Sequence, residues 1–361
     1  MAFTIEDGVI DPKDKKTNKR DFLIKDKENK KFQLTKYDDI IYNPANIKFG
    51  AIHRNKFGEG VVSPIYVILK TNQNPSFVEY SLKRESFISK TKKYLEGTVE
   101  KLRTLKSENF LSLSVFLPCL EEQEKIGDFL SDIDEVILAS DQEVKKLQEL
   151  KKGAMQKIFS QKVRFKRDDG TYYPDWEEKN LGEVAKISTG YAFKNSDYCK
   201  NGEFLVITNA NIQDNDYQVL NNVGNRINLL DKYSKYILNK NDILVTMDGT
   251  VGRVAKVCDD KMLLAQRVGR VVSSSIYNEY LFQFLSSNIF YTEMKNNAKG
   301  AMIAHISLRD IENCPVFLPC LEEQQKIGDF LSDFDEAISL AKQELEKWKL
   351  LKKGLLQQMF T

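Results

Sequence analysis

The stretch VFLPCLEEQEKIGDFLSDIDEVI, beginning at Val115, returns as VFLPCLEEQQKIGDFLSDFDEAI at Val316. The offset is 316 − 115 = 201, and 20 of the 23 positions are identical. Carried on to Phe159 and Phe360, the match is 29 of 45. A duplication of this quality constrains the chain more than any other feature, because whatever one copy folds into the other must resemble. The chain is one kind of unit used twice.

The repeated segment has the period of a helix. Pro118 and Pro319 end a strand-like VFL, and the acidic pairs Glu121–Glu122 and Glu322–Glu323 suit a helix N-terminus, where the peptide dipole favours negative charge. Apolar residues then follow in alternating fours and threes: Ile126, Leu130, Ile133, Ile137, Val144, Leu147, Ala154 and Ile158 in copy one. Copy two answers with Ile327, Leu331, Phe334, Ile338, Ala341, Leu345, Trp348, Leu355 and Met359. The spacing breaks at Ser140, Lys151 and Lys352. A 3.5-residue period sustained over about five heptads predicts coiled-coil helices on the order of 55–60 Å long. They pair most simply with each other, burying Ile133, Ile137, Phe334, Ile338 and Trp348.

Between the copies, FLVITNANI, NDILVTMDGTVGRVAKVC and RVGRVVSS read as strands around Gly and Asp-Gly turns. NEYLFQFLSSNIFYTEMKNNA reads as one amphipathic helix. Residues 1–117 hold a diverged version, with Asp39-Ile40-Ile41 aligned to Asp242-Ile243-Leu244. The expected organisation is a mixed α/β domain at 1–117, a helix at 118–161, a second α/β domain at 168–317 and a helix at 319–361. Domain two opens with YYPDWEEKNLGEVAKISTGYAFKNSDY, which has no counterpart in domain one. Met1 aligns with 1 + 201 = 202, so the first domain is expected to lack roughly 30 opening residues of its fold.

Composition narrows the function classes. With 54 Lys and Arg against 52 Asp and Glu, the net charge is only +2, so any phosphate-binding surface has to be local. No apolar run approaches the roughly 18 residues of a membrane span, and MAFTIEDGVIDPKDKK lacks the pattern of a signal peptide. The five cysteines form no C-x-x-C pair, which reads as reduced thiols in a cytoplasmic protein without a zinc knuckle.

The duplicated LPCLEEQEKI (117–126) and LPCLEEQQKI (318–327), in this domain order, resemble the specificity subunits of type I restriction–modification systems. The lead-in YPDWEEKNLGEVAKISTG and the later NDILVTMDGTVGRV are similar to that family's second target-recognition domain. The resemblance spans essentially the whole chain. It implies two α/β target-recognition domains, each reading one half of a split site in double-stranded DNA. It implies long helices packed as an antiparallel coiled-coil spacer. Two adenine methyltransferase subunits and restriction/translocase subunits would be the partners and hold the catalytic chemistry. The near-identity of the repeats points to identical partners at both junctions, with Glu121, Glu122, Gln123, Glu322, Glu323 and Gln324 facing them.

No active site or cofactor site is expected in this chain. PDWEEK (174–179) has its carboxylates too close in sequence to come from separate strands around one metal. NPAN (43–46) lacks the aromatic that stacks on a flipped base, and no glycine-rich cofactor loop precedes it. The two histidines have no metal-ligand spacing.

Arg and Gln, the side chains that read base edges in pairs of hydrogen bonds, mark the DNA-contact candidates. In domain two these are Thr250, Arg253 and Lys256 at a Gly249–Arg253 turn, Gln266, Arg267 and Arg270 near a strand, and Lys299, His305 and Arg309 on a loop. In domain one they are Asn43, Asn46, Lys48, His53, Arg54, Lys101, Arg103 and Lys106. The charged run at 11–31 reads as a solvated loop. The competing class is a coiled-coil scaffold with two adaptor domains that binds no DNA; salt-dependent DNA binding separates the two.

Overall fold

The structure is a computed structural model describing residues 1–14, 32–97, 103–213, 217–300 and 302–360. Lys101 and most of the charged run at 11–31 lie outside the described residues. The chain divides into two compact units, one of Met1–Gln142 with Lys342–Thr361, the other Glu143–Ala341.

Unit 1 begins with a hairpin of β1 (Ala2–Thr4) and β2 (Gly8–Ile10). β3 (Gln33–Thr35) pairs antiparallel with β6 (Gly60–Val62). β4 (Ile40–Tyr42) is fully buried and runs antiparallel between β5 (Ile52–Arg54) and β7 (Val67–Leu69). Three consecutive buried β-formers suit a central strand covered on both faces. α1 (Pro75–Lys83) starts on Asn74, whose Oδ1 accepts from the Phe77 amide at 2.9 Å, with proline in the first turn. α2 (Glu85–Thr91), α3 (Ser107–Leu111) and the long α4 (Leu120–Phe159) follow.

Unit 2 carries β8 (Glu177–Asn180), α5 (Leu181–Val184) and β9 (Ala185–Thr189) as one continuous run. Then come β10 (Phe204–Ile207), β11 (Arg226–Ile227), β12 (Ile243–Thr246), β13 (Val254–Lys256), β14 (Met262–Leu264) and β15 (Val268–Ser273). The order β13-β12-β15-β9 is wholly antiparallel, while β10 lies between antiparallel β11 and parallel β14. α6 (Asn278–Leu285), α7 (Asn288–Asn297), α8 (Leu308–Glu312), β16 (Pro315–Leu318) and the long α9 (Leu321–Met359) complete the series. β16 pairs antiparallel with β8.

Two expectations need correction. The segment from Asn278 is two helices, because Ser287 turns out of the helix and its hydroxyl accepts from the Phe290 amide, starting α7 afresh. The strand-like VFL is a strand only in copy two. Val115–Leu117 has the same sequence but no strand beside it among the described residues, and it stays irregular.

The duplication is visible in the domains. Asp38 and Asn241, each just before the aligned Asp, both take left-handed backbone, with φ of 73° and 70°. β4 sits between β5 and β7 as β12 sits between β13 and β15, and in both units a helix pair follows.

Within unit 1 the end of α9 runs against the start of α4: Trp348, Leu355, Leu356 and Met359 pack on Tyr80, Leu130 and Ile133. Within unit 2 the end of α4 runs against the start of α9, with Met155, Ile158 and Phe159 in one core with Ile327 and Leu331. Late residues meet early ones in both, so the pairing is antiparallel. Ile133 and Ile338 are buried; Ile137, Phe334 and Trp348 are partly covered.

The two lysines among the polar exceptions to the heptads have partners. Lys151, 1% exposed, meets Asp335 at 2.5 Å and lies 4.1 Å from the centre of the Tyr217 ring. Lys352 pairs with Asp134 and stands over Tyr80. Close approach of each domain to its long helix depends on a glycine of the repeat. A Cβ on Gly127 would lie 2.7 Å from Asn74 Oδ1, and one on Gly328 3.0 Å from the Tyr280 nitrogen.

Candidate nucleic-acid interface

In unit 2 the loop after β12 and the loop before β15 meet on one surface. Asp248 is the hinge of the arrangement. Its Oδ2 accepts from Arg267 Nη1 at 2.6 Å, its Oδ1 bonds His305 Nδ1, and its carbonyl accepts from Asn209 Nδ2 at 3.2 Å. Arg267 and His305 are exposed beyond these contacts, and each offers further N–H groups to a ligand. Thr250 and Lys299 are exposed on the adjoining loops, held by the Gly249 amide bonding Ala304 and by paired backbone bonds between Lys299 and His305.

Arg267 has φ of +70°, in the left-handed region that residues other than glycine adopt uncommonly. The Met247 amide bonding the Arg267 carbonyl is one restraint on it. Strained backbone of this kind concentrates at functional positions.

Beside Arg267 and the exposed Gln266 opens a hollow of about 310 Å³ lined by Tyr191, Phe193, Tyr198, Thr208 and Asn209. Tyr191 is brought there by its amide bonding the Leu264 carbonyl and by a parallel bridge to Ala265. That approach needs glycine at the preceding position, since a Cβ on Gly190 would lie 2.0 Å from the Leu264 carbonyl oxygen. Cations and amides beside aromatic faces suit base edges and stacked rings alike.

Gln266, Arg267, Lys299, His305 and Thr250 are thus brought together, and other expected contacts are not. Arg270 pairs with the buried Asp242 at 2.7 Å and donates to the Ile237 carbonyl. Lys256 meets Glu279 at 2.5 Å and stands 4.2 Å from the centre of the Phe282 ring. Both cations are spent inside the domain. Arg253 is half-buried, and Arg309 lies exposed on α8.

In unit 1, His53 is 4% exposed, with Nε2 2.7 Å from the Ile5 carbonyl. Arg54 pairs with Asp38 at 3.1 Å and lies 3.7 Å from the buried Glu79. His53 and Arg54 are therefore interior supports rather than base readers. Burial pushes the Glu79 carboxyl up, but the hydrogen bond with His53 and the charges of Lys56, Lys83 and His53 outweigh it and hold the group at about 2. Asn43 caps its own turn, accepting from the Ala45 and Asn46 amides. Asn46 and Lys48 are half-buried, and Lys48 stands over Phe49. Arg103 and Lys106 are exposed; Arg103 donates to the Gly97 carbonyl and Lys106 pairs with Glu96 at 2.7 Å.

Three of the repeat residues expected to face partners are turned inward. Gln123 donates to the Pro118 carbonyl and accepts from the Asn74 amide. Gln324 repeats this with Pro319 and Tyr277. Each glutamine therefore ties a long helix to the first turn of its domain's helix. Glu323 is fully buried, with Arg164 bonding both its oxygens at 3.1 and 2.9 Å and Trp176 Nε1 donating at 3.0 Å. Glu121, Glu122 and Glu322 are exposed.

Asp248, Asn209 and the aromatic hollow were not marked from sequence. The signals were GYAF at 190–193 and TNAN at 208–211, which bring rings and amides next to a strand end.

Comparison with known proteins agrees with this architecture. The family described as Type I restriction modification DNA specificity domain matches residues 173–349. The MjaVIII specificity subunit of Methanocaldococcus jannaschii is 30% identical over 321 residues, covering 84% of this chain and 74% of that protein. The EcoBI specificity subunit of Escherichia coli is 30% identical over 160 residues, 42% of this chain and 33% of that one. The crystal structure of a type I restriction–modification S subunit from M. genitalium superposes with a TM-score of 0.62 at 17% identity, over 92% of this chain and 84% of that one. With its duplicated helix, its two α/β domains and this degree of likeness to the MjaVIII subunit, the chain belongs to the specificity subunits of type I restriction–modification enzymes.

Proposed function

We propose that this subunit reads a bipartite site in double-stranded DNA, with residues 1–117 and 168–317 as its two reading domains, and that it carries no catalytic step itself. The observation that supports the reading most directly is the exposed group of Gln266, Arg267, His305 and Lys299 around Asp248, next to an aromatic hollow. Arg267 and Gln266 supply directional donors for base edges, while Lys299 and Thr250 suit phosphates. Asp248 holds Arg267 and His305 in place before DNA arrives, which lowers the ordering cost of binding.

The complex would form in the cytoplasm with two adenine methyltransferase subunits and with restriction/translocase subunits. Glu121 and Glu322 are the equivalent exposed acids of the repeats and would face the methyltransferases. The test is methylation-site mapping of the assembled complex. Arg267→Ala should relax sequence preference in one half-site only. Unchanged preference in both half-sites would remove Arg267 from the reading group.

A further inference from the structure

The hollow beside Gln266 and Arg267 has walls that the edges of paired bases do not call for. Tyr191, Phe193 and Tyr198 line it, each half-buried and so partly open to solvent. The walls are held from behind. Tyr191 and Phe193 meet edge to face with ring centres 5.1 Å apart, and each lies 5.1 Å from the ring of the buried Tyr233. The Tyr191 backbone is fixed on both sides, its amide bonding the Leu264 carbonyl at 3.0 Å and its carbonyl accepting from the Gln266 amide at 2.8 Å. The hollow is therefore formed before any ligand arrives.

Its polar groups are unfinished. Asn209, also in the lining, donates from Nδ2 to the Asp248 carbonyl, which identifies the other amide atom as the oxygen. That Oδ1 is shielded from solvent and has no hydrogen-bond partner among the described residues. An acceptor in this state costs free energy until a donor reaches it. The exposed Gln266 carboxamide at the rim offers both a donor and an acceptor.

In a duplex each base shows a protein only its edges, because stacking covers both faces. Three aromatic rings around a concavity suit a base whose face is bare, and such a base stacks on them whatever its identity. Volume points the same way. About 310 Å³ lies at the small end of ligand pockets, which run from roughly 300 to 1,000 Å³, and suits one ring system rather than a length of strand. Every base also carries an N–H on its pairing edge, the group that Asn209 Oδ1 lacks.

We propose, on the reading of unit 2 as a DNA-binding domain that works with an adenine methyltransferase, that the hollow takes one base that has left the stack. It is the base orphaned when its paired adenine is withdrawn. Enzymes that act on a base within a duplex take it out of the helix. Its former partner is then left with open pairing atoms and a bare face. The rings of the hollow cover that face, and Asn209 Oδ1 and Gln266 bond the pairing edge. Capture keeps the pair from re-forming while the adenine is away from the helix.

The test compares two duplexes of the half-site mapped for unit 2, bound to the complex assembled with its methyltransferase subunits. In one, the methylated adenine is replaced by an abasic residue and the opposite base is kept. In the other, both positions of that pair are abasic. The two are equally unpaired and differ only in the orphaned base. The wild type should bind the first about tenfold more tightly, the order expected for stacking one base on aromatic rings. Ala210→Trp, which fills the hollow from an exposed turn residue, should bind both duplexes alike with its melting temperature unchanged. Tyr198→Leu, which removes one ring face and keeps an apolar side chain, should reduce the preference. Equal binding of the two duplexes by the wild type overturns the proposal, and so does a preference that Ala210→Trp leaves at full size. Salt-dependent binding of the intact half-site is measured alongside. Its absence would sink the DNA reading of unit 2 and the proposal with it, whereas its presence without the preference sinks the proposal alone.

Discussion

Lys151 Nζ lies 2.5 Å from Asp335 Oδ1, and the residues 201 positions away, Asp134 and Lys352, form the same pair with the roles of the helices exchanged. The equivalence extends to the neighbours. Tyr80 donates to Asp134 at 2.6 Å where Gln283 donates to Asp335 at 2.7 Å. The two lysines occupy heptad positions that would otherwise be apolar, so their pairing with the aspartates marks the register at which the helices meet.

Removing one partner of a buried pair costs more than removing both. Lys151→Met should therefore destabilise unit 2 by about 3 kcal/mol, while Lys151→Met with Asp335→Leu should recover most of the loss. Lys352→Met should cost less, because its pair is partly exposed. Urea unfolding midpoints of the three variants provide the comparison, and a double variant no better than the single would refute it.

The same glutamate in two settings gives a second contrast. Glu323→Gln should cost about 2 kcal/mol, since it loses the charge that Arg164 and Trp176 enclose. Glu122→Gln, at the identical position of the first repeat, should leave the thermal midpoint of the isolated chain where it was. Equal effects from both would mean that the burial difference between the copies does not exist in solution.

Acid should act on unit 1 through Glu79. Its carboxyl ionises at about 2 in the folded chain, well below the usual 4.5. A depressed carboxylate contributes stability that is complete above about 4.5 and is lost as pH falls toward 2. Glu79→Gln should remove about 2–3 kcal/mol at neutral pH and abolish that part of the acid dependence. Chemical denaturation of both proteins from pH 2 to 6 decides it; parallel curves would show that Glu79 is not the group responsible.

Within the recognition domains, Arg270→Ala and Arg54→Ala should act on folding, and Arg267→Ala on DNA. Arg267→Ala should weaken discrimination at one base by about 1–3 kcal/mol while leaving the melting temperature nearly unchanged. Arg270→Ala should lower the melting temperature, because it leaves Asp242 buried without its partner. Methylation mapping and calorimetry on the same preparations separate the two effects.

The helices, the duplication and the α/β character of the domains were legible because each is written in periodicity, and periodicity survives without knowledge of partners. The contact residues were legible only in part. Arg267 and Arg270 stand three apart and look alike in sequence, yet one faces Asp248 at the surface and the other Asp242 in the interior. Which carboxylate a cation finds depends on strands brought together from distant sequence. Val115–Leu117 makes the same point: its strand propensity equals that of Val316–Leu318, and pairing alone decides whether a strand forms.

Each long helix carries one aspartate and one lysine of the pairs, 151 − 134 = 17 and 352 − 335 = 17 residues apart. Run antiparallel, the charges fall opposite one another at both ends of the spacing. Turned parallel and in register, aspartate would sit against aspartate and lysine against lysine. The helix pair is thus a palindrome in charge, and the direction in which it closes is enforced by electrostatic repulsion in the wrong alignment as well as by attraction in the right one.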